Sequence, residues 1–479
     1  MSSAPEGRTT IVVLPSITFP RAELEKIIAI QHYEERLLCT ILMLEDPDLE
    51  IVYPSSLPID EAIIDYYLSF VTDPRSARHR LNLVALSDPE PSSLSQKLLD
   101  RPHILEDLRK LIARCASSYV LPFNVTPLET RVAEIIGAPV FGPHHDLVDL
   151  GSKSGSRHVA RASGVPVLEG AEDLQSMEAV ERATLDLMNR RPDAEAVVIK
   201  LNNGFSGQGN AIIERSDIRQ PLCDAPITFC ASEESWASFG PKVEREGAIV
   251  EEFVRHPGMV SPSVQMRITW DGLLEVLSTH DQVLGGPDGQ VYLGCRFPAR
   301  SSYRSTIVEL ASSVGKELLQ RGVIGAFGMD FIMVPDKRGN APDEPGNAAD
   351  AVSHCFLSEI NLRMGGTTHP FLMANLVTGA SYDTTSGELV ARGRSKCYVA
   401  TDNLKSGSYV GATPEAAIAA IESAGLAYDS RTATGTLLHL LGALPCFGKV
   451  GATCIGDSPA EADELFTGVV SALEGLGAH

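Results

Sequence analysis

The sequence predicts an α/β protein with an α+β core, organised in about three domains. The chain has 479 residues, and at roughly 100–200 residues per domain this length suggests three. Between residues 10 and 140, strand-like and helix-like segments alternate, which predicts a parallel sheet covered by helices. From about residue 140 the strands become flanked by glycines, and a third region begins near residue 380. We therefore expect domains at 1–140, 141–380 and 381–479.

Composition excludes several classes of protein. Apolar residues make up 44% of the chain and charged residues 21%, which is typical of globular proteins. The 40 basic and 62 acidic residues give a net charge of −22, which disfavours nucleic acid and anionic lipid as partners. No apolar stretch approaches the roughly 20 residues that span a bilayer. The nine cysteines form no CxxC pair, and we expect a reducing, cytoplasmic location.

The N-terminal region is predicted as a series of short elements. Neither GxGxxG nor GxxxxGK[ST] occurs in it, which disfavours a dinucleotide or P-loop site. The predicted strands are Thr10–Leu14, Leu37–Leu44, Ile51–Tyr53, Leu81–Leu86 and Tyr119–Pro122. The predicted helices are Ala22–Arg36, Glu61–Phe70, Ile104–Ala116 and Pro127–Ile136, the last one ending at Gly137.

A glycine-rich hairpin is predicted at Ala196–Glu214, AVVIKLNNGFSGQGNAIIE. A strand ends in Lys200, a loop of small residues follows, and a second strand returns. Small residues let backbone N–H groups approach a phosphate, and the lysine adds a point charge. The alternative is a flexible hairpin with a surface lysine, and the segment by itself does not decide between them.

Two further segments carry weaker signals. Lys153 lies in LGSKSGSR, where a helix begins, and could contact a phosphate near the helix N-terminus. An exposed lysine at a helix start is the alternative. The segment Ala248–Val254, AIVEEFV, is an apolar strand with two adjacent carboxylates, as expected of a strand that reads adenine while a carboxylate takes ribose hydroxyls. The alternative is an edge strand with one buried and one exposed glutamate.

The most specific signal is a pair of apolar strands that carry oxygen ligands. Asp330 lies in the middle of GAFGMDFIMV, and Glu359, Asn361 and Arg363 follow at a spacing of two in CFLSEINLRMGG, which places those three on one face. Carboxylates in apolar strands require compensation, and converging oxygens suit Mg²⁺. Arg363 could neutralise charge that develops on a transferring phosphoryl group. An internal salt bridge between Arg363 and one of the carboxylates is the alternative.

Between the two strands, Pro335–Asp350 is rich in Pro, Gly and Asp and is predicted as a mobile loop that joins antiparallel strands.

In this order, the four elements resemble the ATP-grasp family of carboxylate–amine ligases. The resemblance covers roughly residues 140–380 and implies an ATP-grasp fold preceded by a Rossmann-like pre-ATP-grasp domain. It implies ATP as cofactor with two Mg²⁺ ions, for which Mn²⁺ could substitute. The first metal ligand is Asp where many members have Glu. Carried over by position, the implied nucleotide-binding residues are Lys153, Lys200, Gly204, Ser206, Gly207, Gly209, Glu251, Glu252, Phe253 and Val254, and the implied metal ligands are Asp330, Glu359 and Asn361.

The chain is most similar to the branch typified by the pheganomycin peptide ligase, through GSKSGSR, EINLRMGGTTHP and FGKVGATCIGDSP. This implies ADP-forming activation of a carboxylate as an acylphosphate and its coupling to the amine of an amino acid or peptide, in natural-product biosynthesis. The small C-terminal domain would complete the substrate site, and a homodimer is a candidate assembly. The alternatives are a non-catalytic ATP-binding regulatory protein and a ligase with a nucleophile other than an amine.

Further residues are candidates for catalysis or substrate contact. Arg363 would steady the tetrahedral oxyanion, and Lys200 would assist with the phosphates during catalysis. Arg296 in GCRFP is a second candidate cation for the acid or acylphosphate, with a packing or ion-pair arginine as its alternative. His280, Asp281 and Gln282 are predicted to lie in a loop between strands, where they could touch substrate. Gly365 and Gly366 could let backbone approach substrate. His369 is a weak candidate for the general base, and a structural hydrogen bond at a helix start is the favoured interpretation.

Overall fold

The N-terminal region forms a four-stranded parallel sheet with helices on both faces, as the alternating pattern predicts. The computed structural model describes residues 7–204, 209–231, 234–286, 289, 291–335 and 353–477. The strand order is β3-β2-β1-β4 and all pairs are parallel. The elements are β1 (Thr9–Leu14), α1 (Arg21–Leu24), a 3₁₀ segment (Ile30–Glu45), β2 (Leu49–Ser55), α2 (Glu61–Leu68), α3 (Pro74–His79), β3 (Leu81–Ala85), α4 (Leu94–Leu99), α5 (Pro102–Ile112), β4 (Ser117–Pro122) and α6 (Pro127–Ile136).

Burial on both faces explains why these strands are almost continuously apolar. In β1, Ile11 and Val13 pack into one core while Val12 and Leu14 pack into another on the opposite face of the sheet. Helix α6 begins with a capping box between Thr126 and Glu129, and it ends at Gly137 in the left-handed conformation. The predicted boundaries of this helix are confirmed because its caps are encoded locally.

The sequence prediction is wrong between residues 22 and 44. The expected helix Ala22–Arg36 stops after one turn, and Ala29 adopts a left-handed backbone with φ of 63°. The expected strand Leu37–Leu44 belongs instead to the 3₁₀ segment, whose apolar side chains are buried. A short apolar run fits a buried strand and a buried helical segment equally well, so periodicity could not separate them.

The middle of the chain forms a five-stranded antiparallel sheet flanked by helices. Its strand order is β5-β9-β6-β7-β8. Leu174, Val197 and Phe239 are among the residues that build a separate core under this sheet. The elements are a 3₁₀ helix (His145–Gly151), α7 (Lys153–Ala162), β5 (Gly170–Leu174), α8 (Met177–Arg190), β6 (Ala196–Leu201), β7 (Asn210–Glu214), 3₁₀ turns (Arg215–Asp217 and Leu222–Asp224), β8 (Thr228–Phe229), α9 (Trp236–Glu246) and β9 (Ala248–Glu252).

The remaining strands form a large antiparallel sheet in the order β14-β13-β10-β11-β12-β17-β16-β15, with β19 paired to β17 and β18 paired to β19. Strands from beyond residue 380 therefore continue the sheet that begins before it. The elements are β10 (Pro262–Ile268), β11 (Leu274–Gly285), β12 (Val291–Phe297), α10 (Ser301–Gln320), β13 (Gly325–Pro335), β14 (Ser353–Asn361), α11 (Thr368–Thr378), β15 (Ser381–Asp383), β16 (Glu388–Ala391), β17 (Arg394–Lys405), a 3₁₀ turn (Gly407–Tyr409), α12 (Pro414–Ser423), β18 (Gly435–His439), a 3₁₀ turn (Leu441–Ala443), α13 (Leu444–Phe447), β19 (Lys449–Gly456), α14 (Pro459–Glu474) and a 3₁₀ turn (Gly475–Gly477).

Two predictions about this sheet have opposite outcomes. Strands β13 and β14 pair antiparallel, which confirms that the polar insertion joins antiparallel strands, although residues 336–352 lie outside the described part of the chain. His280, Asp281 and Gln282 do not lie in a loop, because the twelve-residue strand β11 runs through all three.

The division of the chain into domains at residues 140 and 380 stays a prediction. Among the described helices, none has both the length and the apolarity needed to cross a bilayer.

Candidate functional site

A cleft of about 400 Å³ opens where the N-terminal region, the five-stranded sheet and the large sheet meet. Its walls come from all three parts of the chain, so the fold has to be complete before the site exists. The cleft is lined by Ile17, Phe19, Lys26, Ile27, Tyr33, Arg36, Phe123, Lys153, Lys200, Gly204, Asn210, Ser261, Gln265, Gln282, Leu284, Val291, Tyr292, Leu293, Gly328, Asp330, Ser358, Glu359, Asn361, Arg363, Gly365, Gly366, Thr367 and Asn403.

The predicted metal ligands converge in this cleft. Asp330 and Glu359 are direct neighbours across β13 and β14, and Asn361 lies opposite Gly328 in the same pair of strands. The Asn361 amide donates to Asp330 Oδ2 at 3.0 Å and to Glu359 Oε1 at 2.9 Å. Gln282 Nε2 donates to Asp330 Oδ1 at 2.5 Å. Alternation along two adjacent antiparallel strands therefore brings the three oxygen-bearing side chains onto one face, as the sequence predicts.

Cations surround these carboxylates. Lys153 forms an ion pair with Glu359, and Arg363 lies in the same cleft. Burial raises the pKa of Asp330 to about 6, although Lys153 and Arg363 act in the opposite direction. Burial and the neighbouring charge of Lys200 lower the pKa of Lys153 to about 7. Burial also lowers the pKa of Arg363 to about 10, which leaves it charged at neutral pH. Perturbed groups of both signs in one cleft are typical of functional sites.

Lys153 is positioned by a tight helix start. It is the first residue of α7, and the Ser152 side chain caps the helix by accepting from Gly155 N at 3.0 Å. A Cβ on Gly155 would lie 1.8 Å from the carbonyl oxygen of Asp149, so only glycine fits there. The backbone N–H of Lys153 donates to Asn202 O at 3.1 Å, which joins this helix start to the end of β6. The small residues around Lys153 therefore have a packing reason.

Lys200 and the predicted linker strand are neighbours in the five-stranded sheet. Lys200 Nζ lies 2.5 Å from Glu251 Oε1, and Arg157 donates to Glu251 Oε2 at 3.1 Å. Glu252 accepts from Glu169 N at 3.3 Å and pairs with Arg191. Phe253 follows β9 and stacks under the Arg255 guanidinium at 4.8 Å, while Val254 follows it half-buried. Both glutamates are buried and paired, and the adenine-binding role of the linker stays a prediction.

The glycine hairpin connects β6 and β7, which confirms a strand–loop–strand arrangement. Gly204 lines the cleft, and Gly209 has a positive φ of 88° that favours glycine. Ser206 and Gly207 lie outside the described residues, so their predicted contact with phosphate stays a prediction.

The donor set fits a hard divalent cation. Two carboxylates and one side-chain amide, held together by hydrogen bonds of about 3 Å, supply the oxygen ligands that Mg²⁺ prefers. The Asn361 amide points its nitrogen toward the carboxylates, and a half-turn about its terminal bond would present Oδ1 instead. Asp330, Glu359 and Asn361 are therefore the residues that would hold the metal.

Three of the six predicted substrate residues, and one of the predicted catalytic residues, do not line the cleft. Arg296 is half-exposed and pairs with Asp463 on α14 at 2.5 Å, away from the cleft, so the ion-pair alternative holds. His280 is fully buried and hydrogen bonds to Tyr398 Oη at 2.6 Å. Asp281 is turned toward Tyr303, whose hydroxyl donates to it at 2.6 Å. His369 is buried at the start of α11 and bonds to Asp402 at 2.9 Å, which is the structural hydrogen bond favoured from sequence.

Three predicted substrate residues do line the cleft. Gln282 reaches it beside Asp330, and Gly365 and Gly366 form its edge after β14. A Cβ on Gly366 would lie 2.6 Å from the Tyr292 ring, whereas a Cβ on Gly365 would meet nothing within 4 Å. Gly366 is thus needed for close packing against the ring, and its neighbour is not constrained in that way.

Sequence reasoning missed the wall that the N-terminal region contributes. Tyr33 and Arg36 line the cleft, and the Arg36 guanidinium stacks over the Tyr33 ring at 4.3 Å. Gln265 of β10 was also missed, and its side chain accepts from Thr368 Oγ1 at 3.2 Å. The one available signal was the cluster of Tyr33, Glu34, Glu35 and Arg36 ahead of an apolar run, and the wrong helix boundaries there obscured it.

Two curated proteins are similar to this chain, one over 95% of its length and the other over 69%. The chain is 30% identical over 467 residues to an L-propargylglycine–L-glutamate ligase of Streptantibioticus cattleyicolor, which covers 95% of this chain and 92% of that protein. It is 21% identical over 387 residues to IQ motif-containing protein H of Danio rerio, covering 69% of this chain and 36% of that protein.

Two family models and several solved structures also match this chain. A model described as IQCH-like, ATP-grasp matches residues 225–343, and one described as PGM1 C-terminal domain matches residues 416–469. An ADP complex of N5-carboxyaminoimidazole ribonucleotide synthetase superposes with a TM-score of 0.53 at 12% identity, covering 97% of this chain and 96% of that one. The biotin carboxylase domain of Hydrogenobacter thermophilus 2-oxoglutarate carboxylase gives 0.56 at 12% identity, covering 97% and 90%.

Proposed function

The chain belongs to the ATP-grasp ligases, and on that premise we propose that it couples a carboxylic acid to the amine of an amino acid or peptide through an acylphosphate. The family membership predicted from four motifs is confirmed by a relative that is 30% identical over nearly the whole chain. That relative joins L-propargylglycine to L-glutamate according to its name. We propose the same substrate class here, namely two amino acids, or an amino acid and a peptide.

The observation that carries the proposal is the convergence of opposite charges on one cleft. Asp330, Glu359 and Asn361 form a hydrogen-bonded oxygen cluster, and Lys153 pairs with Glu359 directly beside it. A non-catalytic ATP-binding protein of the same fold has no need to keep these ligands, and all three are in place here. The intact cluster favours catalysis over the regulatory alternative.

The reaction requires a poor acyl donor to be activated. The substrate carboxylate attacks the γ-phosphorus of ATP, and the bond to the β-phosphate oxygen breaks, so ADP leaves and an acylphosphate remains. Charge spreads over the phosphoryl oxygens in the transition state, and catalysis consists mostly of positioning and electrostatics. Lys153 and Lys200 reach the cleft from α7 and β6 to hold the phosphates. A bound Mg²⁺ would neutralise negative charge on the phosphate oxygens.

The second step joins the amine to the activated carbonyl. The amine attacks the acylphosphate carbonyl, and a tetrahedral oxyanion forms. Its collapse breaks the bond from the carbon to the phosphate oxygen, so phosphate leaves, and the proton that the nitrogen loses departs with the phosphate or passes to solvent. Arg363 lines the cleft, is partly buried and carries a positive charge for this oxyanion. The apolar side chains on the N-terminal wall, Ile17, Phe19 and Phe123, help exclude water, which would otherwise hydrolyse the acylphosphate.

Several finer expectations belong to the same proposal. We propose two Mg²⁺ ions per site, with Mn²⁺ able to replace them, as the resemblance to the ATP-grasp family implies, and Asp330, Glu359 and Asn361 would hold them. We propose a role in natural-product assembly, supported by the relative's unusual substrate. The nine free cysteines support the cytoplasm as the location. A second copy of the chain remains a candidate partner.

The test is a matrix of acids and amines. The purified protein is incubated with ATP, Mg²⁺ and pairs drawn from the twenty L-amino acids and selected carboxylic acids, and the release of ADP and the product mass are read together. We expect ADP release that depends on both substrates and a product mass equal to their sum minus one water. Release of AMP, or ADP release with no need for an amine, would contradict the proposed reaction.

A further inference from the structure

The N-terminal wall of the cleft carries a cation that the proposed phosphoryl transfer does not use. Arg36 lines the cleft, yet it comes from the 3₁₀ segment of the N-terminal region rather than from the strands that carry the metal ligands. Its side chain is only 14% exposed. A guanidinium that is nearly buried beside a substrate cleft has lost most of its hydration, and its N–H groups gain by finding an anionic acceptor.

A set of buried groups holds Arg36 in place from behind. Its terminal nitrogen lies 2.6 Å from Asp402 Oδ2, and Asp402 Oδ1 lies 2.9 Å from His369 Nε2 and 3.2 Å from His439 Nδ1. Burial alone would raise the pKa of Asp402, but the charge of Arg36 and the two histidines outweigh it, so the pKa lies well below its usual value. Asp402 is therefore an anion held by three partners from three elements.

The remaining faces of Arg36 are also constrained. The centroid of the Tyr33 ring lies 4.3 Å from the guanidinium carbon, and this stacking restricts the orientation of the group. The Nε atom of Arg36 is buried, and among the described residues it has no hydrogen-bond partner. One terminal nitrogen of the guanidinium pairs with Asp402, whereas Nε is a donor without an acceptor among the described residues. Arginine presents such donors in pairs that match the two oxygens of a carboxylate.

The electrostatic surroundings favour an anion at this position. In the part of the cleft wall that the N-terminal region contributes, the described charged residues are Lys26 and Arg36, both cations. Arg36 also lies close enough to Arg363 for its charge to lower the pKa of Arg363. Lys26 pairs with Glu23 and Glu234, so the positive charge available to an anion at this position comes mainly from the neighbouring Arg36 and Arg363.

We propose that Arg36, held by Asp402, binds the free carboxylate of an amino-acid substrate, the one that takes no part in amide formation. This rests on the proposed ligation of amino acids, because the amine-donating amino acid keeps its own α-carboxylate through the reaction. That carboxylate needs a cation distinct from Arg363, which serves the reacting centre. A second carboxylate on the acyl donor would present the same chemistry. Asp402 acts as a positioning residue that reaches the substrate only through Arg36.

The experiment compares each active substrate with its carboxamide. Wild type is first screened with ATP, Mg²⁺ and the twenty L-amino acids. In the amine position each L-amino acid is compared with its α-carboxamide. In the acyl-donor position only a donor with a second carboxylate is amidated, and only at that second carboxylate, because the reacting carboxylate has to stay free. We expect the free carboxylate of one substrate to be preferred by about 10- to 100-fold in kcat/KM, the usual worth of hydrogen bonds to a charged group. Which substrate loses activity as the amide identifies the source of the carboxylate. A wild type that is indifferent to amidation of both substrates overturns the proposal.

The variants Arg36→Met and Arg36→Lys then assign the preference. Arg36→Met should abolish it through a rise in KM for the free acid, with kcat for the carboxamide within about twofold of wild type. Arg36→Lys should recover part of it, because the charge returns without the paired geometry. Asp402→Asn keeps the Arg36 side chain but removes the charge that positions it, so the preference should weaken. The matched control is Arg394→Gln, which removes an exposed arginine of β17 that pairs with Asp457 and should change nothing.

The outcomes separate the two proposals. If wild type releases no ADP with any pair, the proposed ligation fails, and the carboxylate site fails with it. If wild type is active and Arg36→Met keeps the preference, only the Arg36 site is overturned, and Arg36–Asp402 is a structural ion pair. A rise in melting temperature on adding MgADP, equal to that of wild type, certifies that a variant is folded. Should Arg36→Met fail this check, a full preference in Arg36→Lys overturns the site and a reduced one supports it.

Discussion

Lys153 at the start of α7 and Glu359 near the end of β14 form an ion pair across the cleft. One partner is the predicted phosphate lysine and the other a predicted metal ligand. The pair lies between two independently built parts, since Lys153 is tied to the end of β6 through Asn202 and Glu359 belongs to the large sheet. A nucleotide phosphate that binds Lys153 has to break this ion pair, and so does a cation that binds Glu359. The binding of the nucleotide and the binding of the cation are therefore coupled.

Replacing either partner tests this coupling. Lys153→Met removes the phosphate contact and should weaken MgATP binding by about 10- to 100-fold, as expected for a lost charged hydrogen bond. Isothermal titration of Lys153→Met, Glu359→Gln and the double variant gives a double-mutant cycle. We expect clear non-additivity between the two positions. Lys316→Met on the exposed face of α10 is the matched control, and additive effects at residues 153 and 359 would contradict the coupling.

Asp330→Asn should stop the reaction without unfolding the protein. The substitution keeps the shape and one acceptor oxygen for the hydrogen bond from Gln282 or from Asn361, and it removes the negative charge that a divalent cation requires. We expect ADP formation to fall by about 100-fold or more, on the scale of losing one preorganised electrostatic group. Asp65→Asn, at an exposed position of α2, should leave activity unchanged. Near-normal turnover of Asp330→Asn at saturating Mg²⁺ would refute the metal assignment.

The site was predictable from sequence wherever its geometry follows from strand alternation. Glu359 and Asn361 share a face because they are spaced by two in β14, and Asp330 joins them because β13 and β14 are antiparallel neighbours. Arg363 lies two residues beyond the end of β14, so strand alternation does not explain its place in the cleft. The ends of α6 could also be predicted, because the residues that cap it are close to it in the sequence. His280 and Asp281 were misplaced because a polar stretch resembles a loop, and nothing local shows that β11 continues through it. Arg36 was missed because its role depends on Asp402, which lies 366 positions further along the chain.

The buried His280 should make the protein less stable in mild acid. Burial lowers the pKa of His280 to about 3, so the folded protein keeps it neutral while the unfolded chain binds a proton below about pH 6.5. Its contribution is present above pH 6.5 and is lost as the pH falls toward 3. Between pH 7 and pH 5 this group should remove about 2 kcal/mol from the free energy of unfolding.

Urea denaturation at pH 7 and pH 5 measures the effect. In His280→Gln, which keeps a polar partner for Tyr398, the loss between the two pH values should be smaller than in wild type by about 2 kcal/mol. His79→Gln, at an exposed position at the end of α3, should behave like wild type. An unchanged loss in His280→Gln would mean that His280 binds a proton equally well in both states.

Adjacent glycines at the cleft edge should respond differently to the same added methyl group. In Gly366→Ala the new Cβ would lie 2.6 Å from the Tyr292 ring, so the ring would have to move. Because that ring lines the cleft, its movement would change the shape of the substrate site. In Gly365→Ala the Cβ would meet nothing within 4 Å. Because displacement of a substrate-positioning wall by about 1 Å is costly, we expect Gly366→Ala to lower kcat/KM by about 10- to 100-fold. Gly365→Ala should stay within about twofold of wild type.

A second-site change separates the steric effect from a backbone effect. Tyr292→Leu shortens the side chain that Gly366→Ala would strike, so the double variant should be no less active than Tyr292→Leu alone. The pair would then show an interaction energy of the kind expected for residues in contact. If Gly366→Ala is equally harmful with Tyr292 and with Leu at that position, the cause lies in the backbone of the Gly365–Gly366 turn. If Gly365→Ala is the more harmful of the two single variants, open space beside Gly365 is used by substrate, and the packing explanation for this edge of the cleft is wrong.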